Sequence, residues 1–129
     1  MSVEETRNNP LHGLGAEAII TELVEFYGWD ILYAALGINC FRMNPSVPSS
    51  VKFLKKTEWT RHKVERFYLY RFKGMPKAHG EQFDLAPRDR SFTNGVVPKK
   101  PKPLTLEMIK EMQAEAEENY QAQRSSSRY

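Results

Sequence analysis

Residues 46–72 read SVPSSVKFLKKTEWTRHKVERFYLYRF, and the reading of this stretch decides the fold. Ser46 is a good N-cap, and Pro48 falls in a first turn, where its missing amide costs no helical bond. At about 100° per residue Val47, Val51 and Leu54 share one side of a helix that runs to about Lys56. Thr57 can cap a further helix from Glu58 to about Phe72, with Val64, Phe67 and Tyr68 as its core stripe. Two consecutive amphipathic helices predict an all-α domain.

The polar sides of these helices are basic. Lys52, Lys55 and Lys56 gather on one arc of the first, while His62, Arg66, Leu69 and Lys73 line a mostly basic stripe of the second, flanked by Arg61 and Lys63. Residues 42–77 hold ten bases against two acids, a net of +8, whereas residues 1–41 sum to −5. Residues 78–103 contribute +2 and residues 104–129 contribute −2, so the modest overall +3 of the 129-residue chain conceals a strong segregation.

Working outward toward the amino terminus, Ile19, Ile20, Leu23, Phe26 and Tyr27 recur at spacings of three and four, which predicts a helix from Ala16, capped by Gly15 and stopped at Gly28. Asp30 suits the first turn of a short second helix, Trp29 to Leu36, and Gly37 ends it. Asn9-Pro10-Leu11-His12-Gly13 is a turn-like opening, and Ile38 to Ser46 is too irregular for a helix. Beyond Gly74 eight of the fifteen glycines and prolines fall within residues 74–103, and apolar residues lose their period. This predicts a linker or docking tail outside the core, ending in a polyproline II run at Pro98–Pro103 with Lys99, Lys100 and Lys102. Thr105 caps a last helix to about Gln121, with Leu104 and Ile109 as a hydrophobic staple and Leu106, Ile109, Met112 and Ala116 as a thin stripe suited to docking on a partner. The expected organisation is an N-terminal extension (1–8), a compact four-helix domain (9–73), an extended Pro/Gly-rich linker (74–103) and a separate C-terminal helix with a polar end (104–129).

Several function classes drop out. The sequence has no apolar run of bilayer length, and the acidic opening Met-Ser-Val-Glu-Glu-Thr reads as neither a signal nor a transit peptide, which places the expected address in the cytoplasm or nucleoid. The single Cys40 reads as a small buried hydrophobe, and with His62 and His79 it has no metal-ligand spacing, so neither metal nor cofactor is expected. His12 reads as a residue that holds its turn, and Trp29 and Trp59 as core aromatics, with base stacking as the alternative. No phosphate-binding glycine loop, nucleophile elbow or carboxylate pair is present in the sequence, which argues against an enzyme.

Asn9-Pro10-Leu11-His12-Gly13, then Leu23-Val24-Glu25-Phe26-Tyr27-Gly28-Trp29, Ile38-Asn39-Cys40-Phe41, Asn44-Pro45-Ser46 and the run from Ser49 to Glu65 resemble a small bacterial family of unknown cellular role whose members open with Asn-Pro-Leu-His-Gly. The resemblance spans residues 8 to about 72 and leaves 74–129 uncovered. It implies a compact four-helix domain similar to the carboxy-terminal duplex-DNA-binding domain of recombinase A, and DNA binding on that ground. Gly15 stands where the family more often has threonine, and Glu58 where it often has proline.

The charge pattern and the resemblance converge on a non-enzymatic, largely non-sequence-specific nucleic-acid-binding module, DNA before RNA. Lys52, Lys55, Lys56, Arg61, Lys63, Arg66 and Lys73 would meet the phosphate backbone, and Lys99, Lys100 and Lys102 would add a flexible second contact. The bland alternative is a solvated face that balances the acidic half through intramolecular pairs. The functional alternative is a structural subunit of a larger protein or ribonucleoprotein assembly, held through residues 74–129 and docked by Leu106, Ile109 and Met112.

Overall fold

A computed structural model describes residues 8–92 and 95–126, with side chains to residue 123. Residues 1–7 of the N-terminal extension and 127–129 of the polar end thus lie outside the described residues. Five α-helices follow one another: α1 (Ala16–Tyr27), α2 (Trp29–Leu36), α3 (Val47–Lys56), α4 (Glu58–Phe67) and α5 (Leu106–Ser126), and no strand occurs among the described residues. The all-α expectation holds, with a compact helical N-terminal region and a C-terminal helix.

Local chemistry accounts for the breaks. Gly28 takes φ +83°, a left-handed value that side chains disfavour, and so turns the chain sharply from α1 into α2. Asn44 adopts φ +45° ahead of Pro45, a conformation asparagine tolerates better than most residues. The Ser46 hydroxyl accepts the Ser49 amide at 3.2 Å and starts α3. Thr57 makes no such side-chain bond, although it stands at the N-cap of α4; instead its carbonyl accepts the Thr60 hydroxyl at 2.7 Å. The Thr105 hydroxyl does cap α5, accepting the Met108 amide at 3.1 Å.

Helix α4 does not run on to Phe72 in α geometry. Tyr68–Phe72 form a π-helical turn in which the Lys73 amide reaches back five residues to the Tyr68 carbonyl, at 2.8 Å. A π turn takes an extra residue and shifts the phase of everything after it. Leu69, which the sequence reading places on the basic stripe, lies instead in the core with no exposed surface, four residues after the buried Glu65. The core gathers Leu11, the inner faces of α1 and α2, Phe41, Leu54, Val64, Tyr68, Leu69 and Phe72. Trp29 is half-buried against Phe41, with ring centroids 5.9 Å apart. Trp59, by contrast, is 66% exposed, because it lies opposite Thr60 and Val64 on α4; the expectation of a core tryptophan fails there.

The described part of residues 74–103 is irregular apart from two short 3-10 turns, Gly80–Asp84 and Pro87–Asp89. They are nevertheless strapped onto the helices, and the expectation that they stay outside the core is corrected. Met75 is buried with the core, and Phe92, Val96 and Leu104 pack against it. Backbone bonds join Lys99 to the Lys73 carbonyl (2.7 Å) and Lys102 to that of Arg71 (3.3 Å), while the Tyr27 hydroxyl donates to the Lys102 carbonyl at 2.7 Å. Aperiodic sequence conceals this docking, because an extended segment can be held by backbone groups and isolated side chains.

Two polar anchors fix the strap. Asn9, nearly buried, folds its own turn by accepting the Leu11 amide (2.8 Å) and donates to the carbonyls of Pro87 (2.7 Å) and Arg90 (2.9 Å). Asn9 rather than the exposed His12 therefore holds the opening motif. Arg88 forms an ion pair with the buried Glu65 of α4 and also donates to the Leu11 carbonyl at 3.0 Å. Helix α5 packs its first turns against α2 through the buried Ile109, and Gln113 donates to the Ala34 carbonyl at 3.2 Å. Leu106 and Met112 keep about half their surface exposed.

Removing one partner of a buried ion pair strands the other, at a typical cost of about 3 kcal/mol. Arg88→Met should therefore lower the unfolding free energy by that order, read as a lower urea midpoint at unchanged m-value, and Arg88→Met combined with Glu65→Leu should recover much of the loss. Burial raises the Tyr27 phenol to about 12 from its ordinary 10, and burial together with the Glu22 carboxylate that accepts its hydroxyl raises Tyr68 as well. The folded state thus prefers both phenols neutral. The Tyr27 contribution is complete below pH 10 and is lost as pH rises through about 12, and that of Tyr68 has the same sign. Circular dichroism melts across that window should show falling stability, and Tyr27→Phe should flatten part of the decline.

Candidate nucleic-acid interface

The lysine trio of α3 is where sequence phasing puts it. Leu54 and Ser50 are buried on the inner side, Val47 and Val51 flank them, and Lys52, Lys55 and Lys56 stand exposed on the outer arc. On α4 the same logic exposes Arg66, with Trp59 seven residues earlier on the same face, directly after the lysines of α3. One exposed aromatic ring and four exposed cations therefore stand on the outer faces of two consecutive helices. The signal that finds the exposure of Trp59 is the core stripe of Val64, Phe67 and Tyr68, whose far side on α4 it occupies.

Other basic residues have structural duties. Lys63 is half-buried, and its Nζ donates to the Leu36 carbonyl at 2.7 Å, where it neutralises the negative end of α2. Arg61 is half-buried, and its Nε is buried without a hydrogen-bond acceptor among the described residues. The Lys73 ammonium sits over the rings of Tyr68 (5.5 Å) and Phe72 (5.2 Å). The strap returns Lys99 to its side, so that a Cβ on Gly74 would lie 3.1 Å from that of Lys99. Lys99, Lys100 and Lys102 are exposed, and the backbone bonds of Lys99 and Lys102 to residues 73 and 71 hold this run at the end of α4.

The basic residues thus fall into two groups: Lys52, Lys55, Lys56 and Arg66 on the outer faces of α3 and α4, and Lys73, Lys99, Lys100 and Lys102 along the seam between α4 and the strap. Arg71, which the sequence did not single out, joins the second group and donates to the Met112 sulfur at 3.9 Å. Among the described residues the two ion pairs are His62–Glu58 and Arg88–Glu65, and neither involves a lysine of either group.

Other chemistry is sparse. Burial pushes the half-buried Cys40 thiol above its ordinary value, which favours the protonated, unreactive form. Among the described residues no cluster of three or more histidine, cysteine or acidic side chains could hold a metal ion, and no helix is long and apolar enough to cross a membrane.

Comparison with known proteins bears on the helical part alone. No curated protein matches the chain. Residues 7–69 match the sequence model of a family described as DNA-binding protein VF530, a span that covers α1 to α4 and ends inside the π turn, before the strap begins.

Proposed function

We propose that this protein is a non-enzymatic module that binds duplex DNA with little sequence preference, through the exposed face of α3 and α4. The observation that carries the reading is the set of uncompensated cations: Lys52, Lys55, Lys56 and Arg66 are exposed, and neither ion pair among the described residues engages them. A face that served only to balance the acidic α1 and α2 would pair with their carboxylates. The description of the matching family as a DNA-binding protein supports the same conclusion.

Lysines on two successive helices follow a phosphate backbone and release counterions, which yields affinity without base recognition. Arg61 and Lys63 reinforce the face from below, the latter by locking α4 to the end of α2. Lys73, Lys99, Lys100 and Lys102 provide a second contact, which the strap presents in a fixed place. Nothing in this arrangement inserts a recognition helix with base-reading amides, consistent with shape and charge as the basis of binding. A protein with this activity works at the nucleoid.

Fluorescence anisotropy with a labelled duplex of arbitrary sequence should give a slope of log affinity against log salt near −4 to −5, as expected when about five phosphates are neutralised. Changing Lys52, Lys55 and Lys56 together to glutamate should abolish binding while the circular dichroism spectrum stays unchanged. Unaltered affinity in that folded variant would sink the assignment. Trp59 fluorescence should be quenched by duplex in the parent protein, and Trp59→Ala should remove the quenching while retaining most of the salt slope.

A further inference from the structure

The strap forms an open-sided cavity of about 220 Å³ against the π turn, lined by Tyr70, Lys77, His79, Arg90, Ser91 and Phe92 among others, and no aspartate or glutamate lines it among the described residues. Arg90 in this lining is only 6% exposed. Arg90 donates from Nε to the Leu85 carbonyl (3.1 Å), from one terminal nitrogen to the Tyr70 hydroxyl (2.6 Å) and from the other to the Phe83 carbonyl (3.1 Å). All three acceptors are neutral. A guanidinium has five N–H donors, so two remain for another acceptor. No ion pair among the described residues involves Arg90, and a buried cation without a counter-charge is costly.

A second cation, Lys77, lines the same pocket. Lys77 and His79 are both exposed, and neither takes part in an ion pair among the described residues. Tyr70 and Phe92 provide aromatic surface in the same lining, and Arg90 lies 5.7 Å from the Tyr70 ring centroid. One buried cation, a lysine at the entrance and aromatic surface suit an anion carried on a flat ring. A volume of 220 Å³ is below the 300–1,000 Å³ of typical ligand pockets, enough for a phosphoryl group and one ring, with the rest leaving through the open rim.

We propose that this cavity is a nucleotide-phosphate site, in which Arg90 and Lys77 bind the phosphate of a nucleoside 5′-monophosphate and Tyr70 and Phe92 flank its ring. The site is built from residues beyond the 7–69 span of the family match and is independent of the α3–α4 face. A free mononucleotide and the 5′-phosphorylated end of a strand carry the same chemistry.

The test is an NMR titration of the full chain with adenosine 5′-monophosphate, adenosine, inorganic phosphate, and a short oligonucleotide with and without a 5′-phosphate. The monophosphate should shift the Ala78, His79 and Ser91 amides and the Arg90 Nε–H saturably at millimolar concentration. Adenosine and inorganic phosphate should each bind at least about tenfold more weakly. Lys77→Gln, at an exposed position that leaves the strap's anchors intact, should weaken the monophosphate about tenfold with the rest of the spectrum unchanged. A response to the strand only when it is 5′-phosphorylated assigns the site to strand ends, and a response to the monophosphate alone assigns it to free nucleotide. Absence of saturable shifts at these amides, or equal binding of adenosine, of inorganic phosphate, or of monophosphate by Lys77→Gln, would overturn the proposal. The Lys52, Lys55 and Lys56 glutamate variant should retain the monophosphate shifts, so failure at one site is distinguishable from failure at the other.

Discussion

Glu65 is a carboxylate on the inner side of α4 with 2% of its surface exposed, and the charge that neutralises it comes from Arg88, twenty-three residues further along the chain. A buried anion without a partner would oppose the packing of α4 against the rest of the helices. Arg88 removes that penalty and in the same stroke grips the Leu11 carbonyl, so one side chain ties together α4, the opening turn and the strap. Asn9 completes the arrangement, because its amide group needs acceptors that only Pro87 and Arg90 supply among the described residues. The helical domain and the segment after it are therefore one folded unit, whose polar interior is satisfied only when the strap is in place.

This dependence explains the unequal legibility of the chain. The four helices of the N-terminal region were readable because each carries its own punctuation: Gly28 and Gly37 at the ends of α1 and α2, Ser46 and Pro48 at the start of α3, and a 3.6-residue apolar period in between. Val64 and Leu54 followed from phase alone. Leu69 did not, since it stands at the border between the core stripe and the basic stripe, and the packed neighbours decide which side such a residue joins. Trp59 went wrong for a related reason: bulk and hydrophobicity favour burial on average, but position on α4 decides the individual case. The strap was the least legible part, because Asn9, Glu65 and Arg88 act as isolated polar residues whose pairing spans tens of positions.

The candidate interface divides along the same line. That Lys52, Lys55 and Lys56 share an exposed arc follows from their spacing, and the structure keeps them free of ion pairs among the described residues. Arg61, Lys63 and Lys73 have the same charge and similar spacing, yet Lys63 serves the end of α2 and Lys73 lies over aromatic rings. The Lys99, Lys100 and Lys102 run reads as a flexible arm in the sequence, but backbone bonds lay it beside Lys73. A basic residue's role thus depends on what the fold puts within reach of its ammonium, and charge counting cannot supply that.

By itself, the sequence determined the helical class, the bounds of α1 to α3 and the start of α4, and the segregation of acid into the first two helices and base into the next two. These are local properties, set by backbone propensity, capping and the repeat of apolar side chains along a few turns. Tertiary structure alone decided that the strap is part of the fold, that Glu65 and Arg88 pair, that Trp59 faces solvent, and that Arg90 is buried in the lining of a cavity without an ion pair among the described residues. Each of those depends on groups distant in the chain competing for the same partner or the same space, and such competition is settled only when the chain is packed.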